Sequence, residues 1–242
     1  MGIEERLAEL RQKAMTRPRK KWYQKWWGIF LILFLFLIII IIGGVGIYIL
    51  KTAQTINQDK YLAALKLSTQ NNKILTEGSS QNYYMGTSSP EITIVEFSDF
   101  ACPYCKESLS IIKEIGIRYQ DKVKIIYRDY PGHSNSLDLA LAARCAGEQE
   151  KFWEMHDELF AEQDTLKLNE LSDMAENMGM NKTKFSKCLS EQKYLAHIQA
   201  DISDGDKLEI KATPTWFINE HKIEGAIPRD NFINIIETLL KK

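Results

Sequence analysis

Hydrophobic and polar positions are distributed differently in three parts of the chain. Residues 1–28 are rich in charge, residues 29–50 contain no charged side chain, and beyond residue 91 short apolar runs alternate with amphipathic segments. As a helix that rises about 1.5 Å per residue, the uncharged run would be about 33 Å long, which is enough to cross the hydrocarbon core of a bilayer. The pattern therefore predicts a transmembrane helix over residues 29–50.

Basic residues before this run predict its orientation. Residues 1–25 carry Lys or Arg at eight positions and Glu at three, and short basic flanks stay on the cytoplasmic side. We therefore expect residues 1–28 in the cytoplasm and everything after Lys51 outside it. Aromatic residues favour the headgroup zone at the inner edge: Trp22, Tyr23, Trp26 and Trp27. A cleaved signal peptide is the alternative, but the apolar run exceeds the usual length of about 7 to 15 residues, and no clear small-x-small cleavage site follows it.

The exported part divides into a linker and a globular domain. Residues 51–88 are rich in Gln, Asn, Ser, Thr and Gly, which predicts a tether with a short weak helix near residues 61–67. From residue 89 to residue 242 the hydrophobic pattern is that of a folded domain. Its composition, 45% hydrophobic and 26% charged with a net charge of -1, is ordinary for a globular protein and gives no indication of a nucleic-acid partner.

The domain begins with a βαβ unit. Residues 92–97 and 122–131 are apolar, β-branched runs that predict strands. Between them, apolar positions recur at steps of three and four residues from Cys105 onward, which predicts a helix with one inward face. The connection implies that the two strands are parallel.

Helices and a hairpin follow. Residues 134–208 show helical spacing throughout, whereas residues 215–219 and 221–227 predict a hairpin, and Pro228 opens a last helix. The fold class is therefore α/β, with the order β-α-β … β-β-α, a helical subdomain inserted at about residues 134–208, and one N-terminal transmembrane helix.

Two cysteines three positions apart stand where the first strand meets the first helix. Cys102 is placed at the turn, where the positive end of the helix dipole favours a thiolate, and Pro103 fits the first turn because its missing N–H would have no partner there. Cys105, one turn later, joins the buried helix face. A CxxC beside a βαβ pattern predicts a redox site, with Cys102 exposed and nucleophilic and Cys105 shielded and resolving.

Three further residues are assigned to this site. A cis peptide between Thr213 and Pro214 would present backbone groups to an extended substrate; a trans proline at the start of a strand is the alternative. Glu96 interrupts an apolar strand, and a buried carboxyl group there would have a raised pKa suited to relaying a proton to or from Cys105. The alternative for Glu96 is a solvated position at a strand edge, and Lys124 on the adjacent strand is a candidate partner.

The remaining two cysteines predict a structural disulfide. Cys145 and Cys188 lie on different predicted helices of the insertion, in a compartment that permits disulfides, so a bond between them would clamp that block. Two unpaired buried thiols are the alternative. A zinc site is disfavoured because neither cysteine belongs to a second CxxC or to a Cys/His pair. The acidic run at residues 201–206 lacks EF-hand spacing and is interpreted as a solvated helix face.

Several segments together resemble the DsbA-like thioredoxin-fold oxidoreductases, in particular their membrane-tethered bacterial branch. They are "VEFSDFACPYC", "AARCAGEQEKFWEMHDELF", "TPTWFIN" and "GAIP", and the resemblance covers roughly residues 91–242. It implies that Cys102 attacks, that Cys105 resolves, that Glu96 is the buried acid and that Thr213 and Pro214 form the cis-proline loop.

The resemblance also implies partners. Members of the family pass a disulfide to exported proteins, and a quinone-linked membrane protein of the DsbB or VKOR type reoxidises them. No metal or organic cofactor is implied. The chain departs from the best-known pattern at Tyr104, which replaces a histidine after Pro103, and at Thr213, which replaces a valine. Because these positions tune the thiolate, a reductase or isomerase remains an alternative within the family, and a membrane-held chaperone remains one outside it. The CPYC motif also occurs in glutaredoxins, but a glutaredoxin is short and lacks the helical insertion.

Overall fold

The structure, a computed structural model, describes residues 2–15, 26–67 and 82–241. It divides into two compact units, Met1–Asn57 and Gln58–Lys242. The basic residues between positions 17 and 25, the aromatic residues Trp22 and Tyr23, and most of the second half of the predicted linker lie outside the described residues.

Two helices precede the globular domain. They are α1 (Ile3–Met15) and α2 (Trp26–Leu67). Within α2, the segment Gly28–Ile56 is long and apolar enough to cross a membrane. The helix extends beyond the predicted boundary at residue 50 because residues 51–67 contain neither Gly nor Pro and include good helix formers such as Ala, Leu, Lys and Gln.

A five-stranded sheet in the order β1-β3-β2-β4-β5 forms the centre of the domain. The strands are β1 (Tyr84–Gly86), β2 (Ile92–Ser98), β3 (Val123–Asp129), β4 (Thr215–Ile218) and β5 (His221–Glu224). β2 and β3 are parallel, as the βαβ pattern predicted, and the other neighbours are antiparallel. The predicted order of elements and the α/β fold class are confirmed.

The edge strand β1 was not predicted, because it lies within the segment interpreted as a linker. It is only three residues long, too short for an alternating pattern to stand out. Gly86 ends it with a φ of 92°, and a Cβ there would come within 2.0 Å of the Val123 carbonyl oxygen. Glycine is therefore required where this edge strand closes against β3.

Two helices pack on the sheet and five form the inserted block. Those of the sheet are α3 (Pro103–Arg118) and α9 (Arg229–Leu239). Those of the block are α4 (Ser136–Gly147), α5 (Phe152–Ala161), α6 (Leu171–Asn177), α7 (Lys182–Ser190) and α8 (Leu195–Lys207). Asn181 caps α7, since its side chain accepts from the Lys184 N–H at 2.9 Å.

A disulfide joins two helices of the inserted block. It links Cys145 on α4 to Cys188 on α7, with their Cα atoms 5.8 Å apart. Both residues are buried in the apolar core that this block shares with the CxxC segment. The bond fixes α4, which follows β3 directly, against a helix 43 residues later.

A buried ion-pair network connects α8 to β3 and α4. Asp201 accepts from Arg128 Nε and Arg144 Nη2, each at 2.5 Å, and Arg144 also binds Asp129. These four side chains are at most 2% exposed. The interpretation of residues 201–206 as a solvated helix face is therefore wrong for Asp201, because two arginines from neighbouring elements meet it inside the protein.

Candidate active site

Cys102 occupies the position immediately before α3, at the junction with β2. Its N–H donates to the Asp99 carbonyl at 3.0 Å, and its own carbonyl accepts from the Cys105 and Lys106 N–H groups at 3.1 and 3.2 Å. Pro103 is the first residue of the helix. Tyr104 is 59% exposed beside it. The turn thus places the Cys102 sulfur at the N-terminus of the helix, where N–H groups have no intrahelical partners.

The prediction that Cys102 is exposed is wrong, because only 3% of the residue is accessible. A loop from the other end of the domain covers it. The Thr213–Pro214 peptide bond of this loop is cis, and the Cys102 sulfur lies 3.3 Å from the Thr213 carbonyl oxygen, to which it donates when it is protonated. The sequence could not indicate this cover, since the two residues are 111 positions apart.

The two thiols have opposite electrostatic environments. The Cys105 thiol, the Thr213 side chain and the N–H groups of Cys105 and Tyr104 lower the pKa of Cys102 to about 5, although burial opposes them. Burial raises the pKa of Cys105, and the neighbouring Cys102 and Glu96 raise it further. In the reduced protein, Cys102 is therefore the thiolate and Cys105 the protonated thiol near neutral pH.

Glu96 lies inside the domain, 5% exposed, on the central strand β2. Burial raises the pKa of its carboxyl group to about 7. The prediction that Lys124 is the partner of Glu96 is wrong. Lys124 pairs in register with Thr93, and its Nζ lies 4.1 Å from the centroid of the Tyr84 ring. A carboxyl group with this pKa, interacting electrostatically with Cys105, can exchange a proton near neutral pH.

We expect Glu96→Gln to remove a pH-dependent loss of stability. The folded-state pKa of about 7 lies above the ordinary value of 4.5, so folding favours the protonated carboxyl group, and stability falls as the pH rises from the lower value to the higher one. At about 1.36 kcal/mol per pH unit, the variant should gain up to about 3 kcal/mol at pH 8 relative to the wild type.

Urea unfolding of the full-length protein in detergent, measured from pH 4.5 to pH 8, checks this expectation. Glu107→Gln, which changes an exposed glutamate on α3 two residues after Cys105, is the matched control and should follow the wild type. A difference between Glu96→Gln and the wild type that stays constant across this pH range would contradict the expectation.

Asp99 and His133 were not identified from the sequence. The Asp99 carboxylate is 1% exposed and accepts from the N–H groups of Ala101, Gly132 and His133 at 2.8, 2.7 and 3.0 Å. His133 Nδ1 lies 2.7 Å from the same carboxylate. One buried side chain thus holds the turn before Cys102 against the loop after β3, an arrangement with no signal in the sequence because the two segments are 34 residues apart.

Gln163 is a second residue that the sequence did not indicate. It follows α5, and its Nε2 donates to the carbonyl groups of Phe100 and Cys102 at 2.7 and 3.0 Å. Next to it, Asp164 forms an ion pair with Lys106 on the first turn of α3 at 2.6 Å. The inserted block therefore contacts the backbone of the CxxC segment directly.

Among the described residues, no group of three or more His, Cys, Asp or Glu side chains is arranged to hold a metal ion.

Sequence comparisons match the domain to known proteins. A family model described as "Thioredoxin" covers residues 79–238. The Na(+)/H(+) antiporter NhaA 3 of Salinispora tropica is 32% identical over 148 residues, which are 60% of this chain and 22% of the antiporter. The antiporter NhaA 1 of Mycolicibacterium gilvum is 29% identical over 162 residues, which are 65% of this chain and 26% of the antiporter. The aligned part spans about a quarter of the length of these relatives.

Solved structures match the fold more completely. Oxidised BdbD from Bacillus subtilis is 25% identical with a TM-score of 0.62, and the match covers 66% of this chain and 94% of BdbD. Alpha-DsbA1 from Wolbachia pipientis is 24% identical with a TM-score of 0.63, covering 70% of this chain and 96% of that protein. The chain belongs to the thioredoxin family, and its fold is similar to that of BdbD and alpha-DsbA1.

Proposed function

We propose that this protein is a membrane-anchored, extracytoplasmic oxidoreductase that introduces disulfide bonds into exported proteins through Cys102 and Cys105. The observation that carries the proposal is the placement of Cys102 at the N-terminus of α3 with the buried Cys105 one turn later, an arrangement that lowers the pKa of Cys102 to about 5 and raises that of Cys105. A low pKa stabilises the reduced form of the pair relative to its disulfide, and this makes the disulfide a strong oxidant.

The catalytic cycle exchanges one disulfide for another. A substrate thiolate attacks the Cys102 sulfur of the oxidised pair, and the bond to Cys105 breaks. Cys105 leaves as a thiolate that takes a proton, which Glu96 can supply because its pKa is about 7. The second substrate thiolate then attacks the substrate sulfur of the mixed disulfide, and Cys102 leaves as a thiolate. The substrate is oxidised to a disulfide and the protein is reduced to a dithiol.

The substrate segment lies, in this proposal, along the cis-proline loop. The Thr213 carbonyl, 3.3 Å from the Cys102 sulfur, is a backbone acceptor at the position where a mixed disulfide would form. Such a group pairs with an extended peptide by strand addition. Pro103 and Tyr104 tune the site, since Pro103 begins the helix and the backbone N–H of Tyr104 lowers the pKa of Cys102.

The proposed location follows from the N-terminal part of the chain. Residues 1–28 are the cytoplasmic segment, residues 29–50 the core of the anchor, and residues 89–242 the extracytoplasmic domain. The predicted linker at residues 51–88 is shorter, because strand β1 (Tyr84–Gly86) belongs to the sheet of the domain. The apolar helix over Gly28–Ile56 supports an anchor of this kind, and the basic residues before it support the orientation. An oxidising compartment also suits the disulfide between Cys145 and Cys188. Reoxidation would require a quinone-linked membrane partner of the DsbB or VKOR type.

Equilibration of the full-length protein with glutathione buffers tests the direction of the reaction. We expect a reduction potential between about -120 mV, the value for DsbA, and about -270 mV, the value for thioredoxin. We also expect the oxidised protein to restore activity to reduced, unfolded ribonuclease stoichiometrically. A potential at or below that of thioredoxin, together with efficient reduction of insulin, would instead assign the protein as a reductase.

A further inference from the structure

The two residues between the cysteines, Pro103 and Tyr104, provide no positive charge near the Cys102 thiolate. Tyr104 is uncharged, and the ammonium group of Lys106, on the first turn of α3, is paired with Asp164 at 2.6 Å. A thiolate at a helix N-terminus is stabilised further by a positive charge nearby. The loop after β3 provides a candidate, because it carries His133 beside the Asp99 carboxylate.

His133 is oriented by two polar groups. Its Nδ1 lies 2.7 Å from Asp99 Oδ2, and its backbone N–H donates to the same oxygen at 3.0 Å and to Ser136 Oγ at 3.1 Å. Because an ionised carboxylate only accepts hydrogen bonds, Nδ1 must carry the proton in this contact. The remainder of the imidazole ring is free to take a second proton, since the His133 side chain is 48% exposed.

The negative charge of Asp99 is offset within the fold. Three backbone N–H groups and the imidazole donate to its two oxygens. Hydrogen bonds from Ser136, Gly132, His133 and Ala101 hold the pKa of Asp99 below its ordinary value, although burial opposes them. Asp99 therefore stays ionised, and it holds the imidazole in place and favours its protonated form rather than acting as an uncompensated anion beside Cys102.

We propose that His133 is the cation that stabilises the Cys102 thiolate, with the buried Asp99 carboxylate as the residue that positions it. Asp99 brings His133 to the Cys102 turn, because its Oδ1 accepts from the N–H of Ala101, the residue before Cys102, at 2.8 Å, while its Oδ2 lies 2.7 Å from His133 Nδ1. The titratable groups that act on His133 are Asp99 and Cys102, and Ser136 is the polar neighbour on the third side. The Asp99 hydrogen bond is the main cause that raises the pKa of His133, and Cys102 contributes in the same direction.

This inference rests on the proposed thiol-disulfide exchange at Cys102, and His133→Gln tests it. We expect the variant to raise the pKa of Cys102, measured by the pH dependence of iodoacetamide alkylation of the reduced full-length protein. Because the His133 side chain is half-exposed, we expect a shift in the pKa of Cys102 of about 0.5 to 1 pH unit, which is about 3- to 10-fold in the ionisation constant. The same factor makes the pair less oxidising by about 15 to 30 mV, since tenfold corresponds to 29.6 mV.

The effects of His133 and the Cys102 thiolate on each other's pKa must be equal, and this allows a second measurement that needs no substitution in the site. If His133 and the thiolate stabilise each other, the pKa of His133 must be higher in the reduced protein than in the oxidised protein, where Cys102 carries no charge. NMR titration of the histidine resonances in both redox states measures this difference. His197→Gln, which changes a histidine on α8, identifies a background resonance and should leave the pKa of Cys102 unchanged.

The outcomes separate this inference from the proposed function. Failure of the wild type to oxidise ribonuclease would overturn the proposed function. If the wild type is active, an unchanged Cys102 pKa in folded His133→Gln, or a His133 pKa that is equal in the two redox states, overturns the role of His133 alone. A shift in both measurements supports it, because a residue that only held the loop would leave the titration of His133 insensitive to the redox state.

Discussion

Cys102→Ser and Cys105→Ser should each abolish the oxidation of reduced ribonuclease, because neither variant can form the Cys102–Cys105 disulfide, but Cys105→Ser should still form a stable mixed disulfide with an activated substrate. The sulfur of Cys102 is the atom that the substrate thiolate attacks, and a hydroxyl group forms no disulfide. When the Cys102 thiolate instead attacks an activated substrate disulfide, the buried Cys105 thiol is the group that attacks Cys102 next and releases the substrate. Without Cys105, and with a substrate that has no second cysteine, the bond between Cys102 and the substrate persists.

Non-reducing gel electrophoresis and mass spectrometry of the two variants, incubated with a peptide that carries a single activated cysteine, check this expectation. The covalent adduct should accumulate with Cys105→Ser and be absent with Cys102→Ser. The double variant Cys145→Ser, Cys188→Ser is the matched control, because it removes the same chemical groups from the disulfide of the inserted block. It should keep disulfide exchange while losing about 2 to 4 kcal/mol of stability. Turnover by Cys102→Ser would contradict the assignment of the attacking sulfur.

The sequence predicted the parts of this site that depend on local order. The strand before the CxxC and the helix after it follow from periodicity, and together they place Cys102 at a helix N-terminus and Cys105 on a buried face. Glu96 could be identified because a single carboxyl group in the middle of an apolar strand is either buried, with a raised pKa, or solvated at a strand edge. Each of these inferences spans fewer than about ten residues of chain, over which the period of a strand or helix fixes the direction of side chains.

Contacts between distant segments could not be predicted in this way. The cover over Cys102 comes from Thr213, and a side-chain hydrogen bond to the Cys102 carbonyl comes from Gln163. Asp99 and His133 are unremarkable in the sequence, since a polar residue after a strand is common and a single histidine has no spacing to interpret. Their pairing exists only because β2 and β3 are parallel neighbours, which brings the loops that follow them to the same edge of the sheet.

The acidic run on α8 shows the same limit for charged residues. From composition alone, residues 201–206 are typical of a solvated face, since Asp is seldom fully buried unless it is paired. Here the partners Arg128 and Arg144 lie on β3 and α4, 73 and 57 residues away from Asp201. A helical period indicates which residues share a face, but not that a neighbouring element presents arginines to that face.

Asp201→Ala should destabilise the domain by about 3 to 5 kcal/mol, because it leaves two buried guanidinium groups without their shared carboxylate. Asp201 also accepts from the backbone N–H of Asp129 at 3.1 Å, so its removal leaves a third donor unsatisfied. Arg128 would retain Asp204 at 2.7 Å and Arg144 would retain Asp129, but neither contact replaces the bridge between the two arginines.

Urea unfolding of the full-length protein at pH 7 measures this loss, with Gln199→Ala on the exposed side of the same helix as the matched control, expected to change stability by less than about 0.5 kcal/mol. A loss below about 1 kcal/mol for Asp201→Ala would contradict the burial of the network.

Asp201→Ala should also change the surroundings of His133 at the redox site. The network fixes Asp129 at the end of β3, and the chain runs from there through Gly132 to His133, whose position beside Asp99 depends on the end of that strand staying in register. Asp201→Ala should therefore move the pKa of His133 toward its ordinary value in the molecules that remain folded.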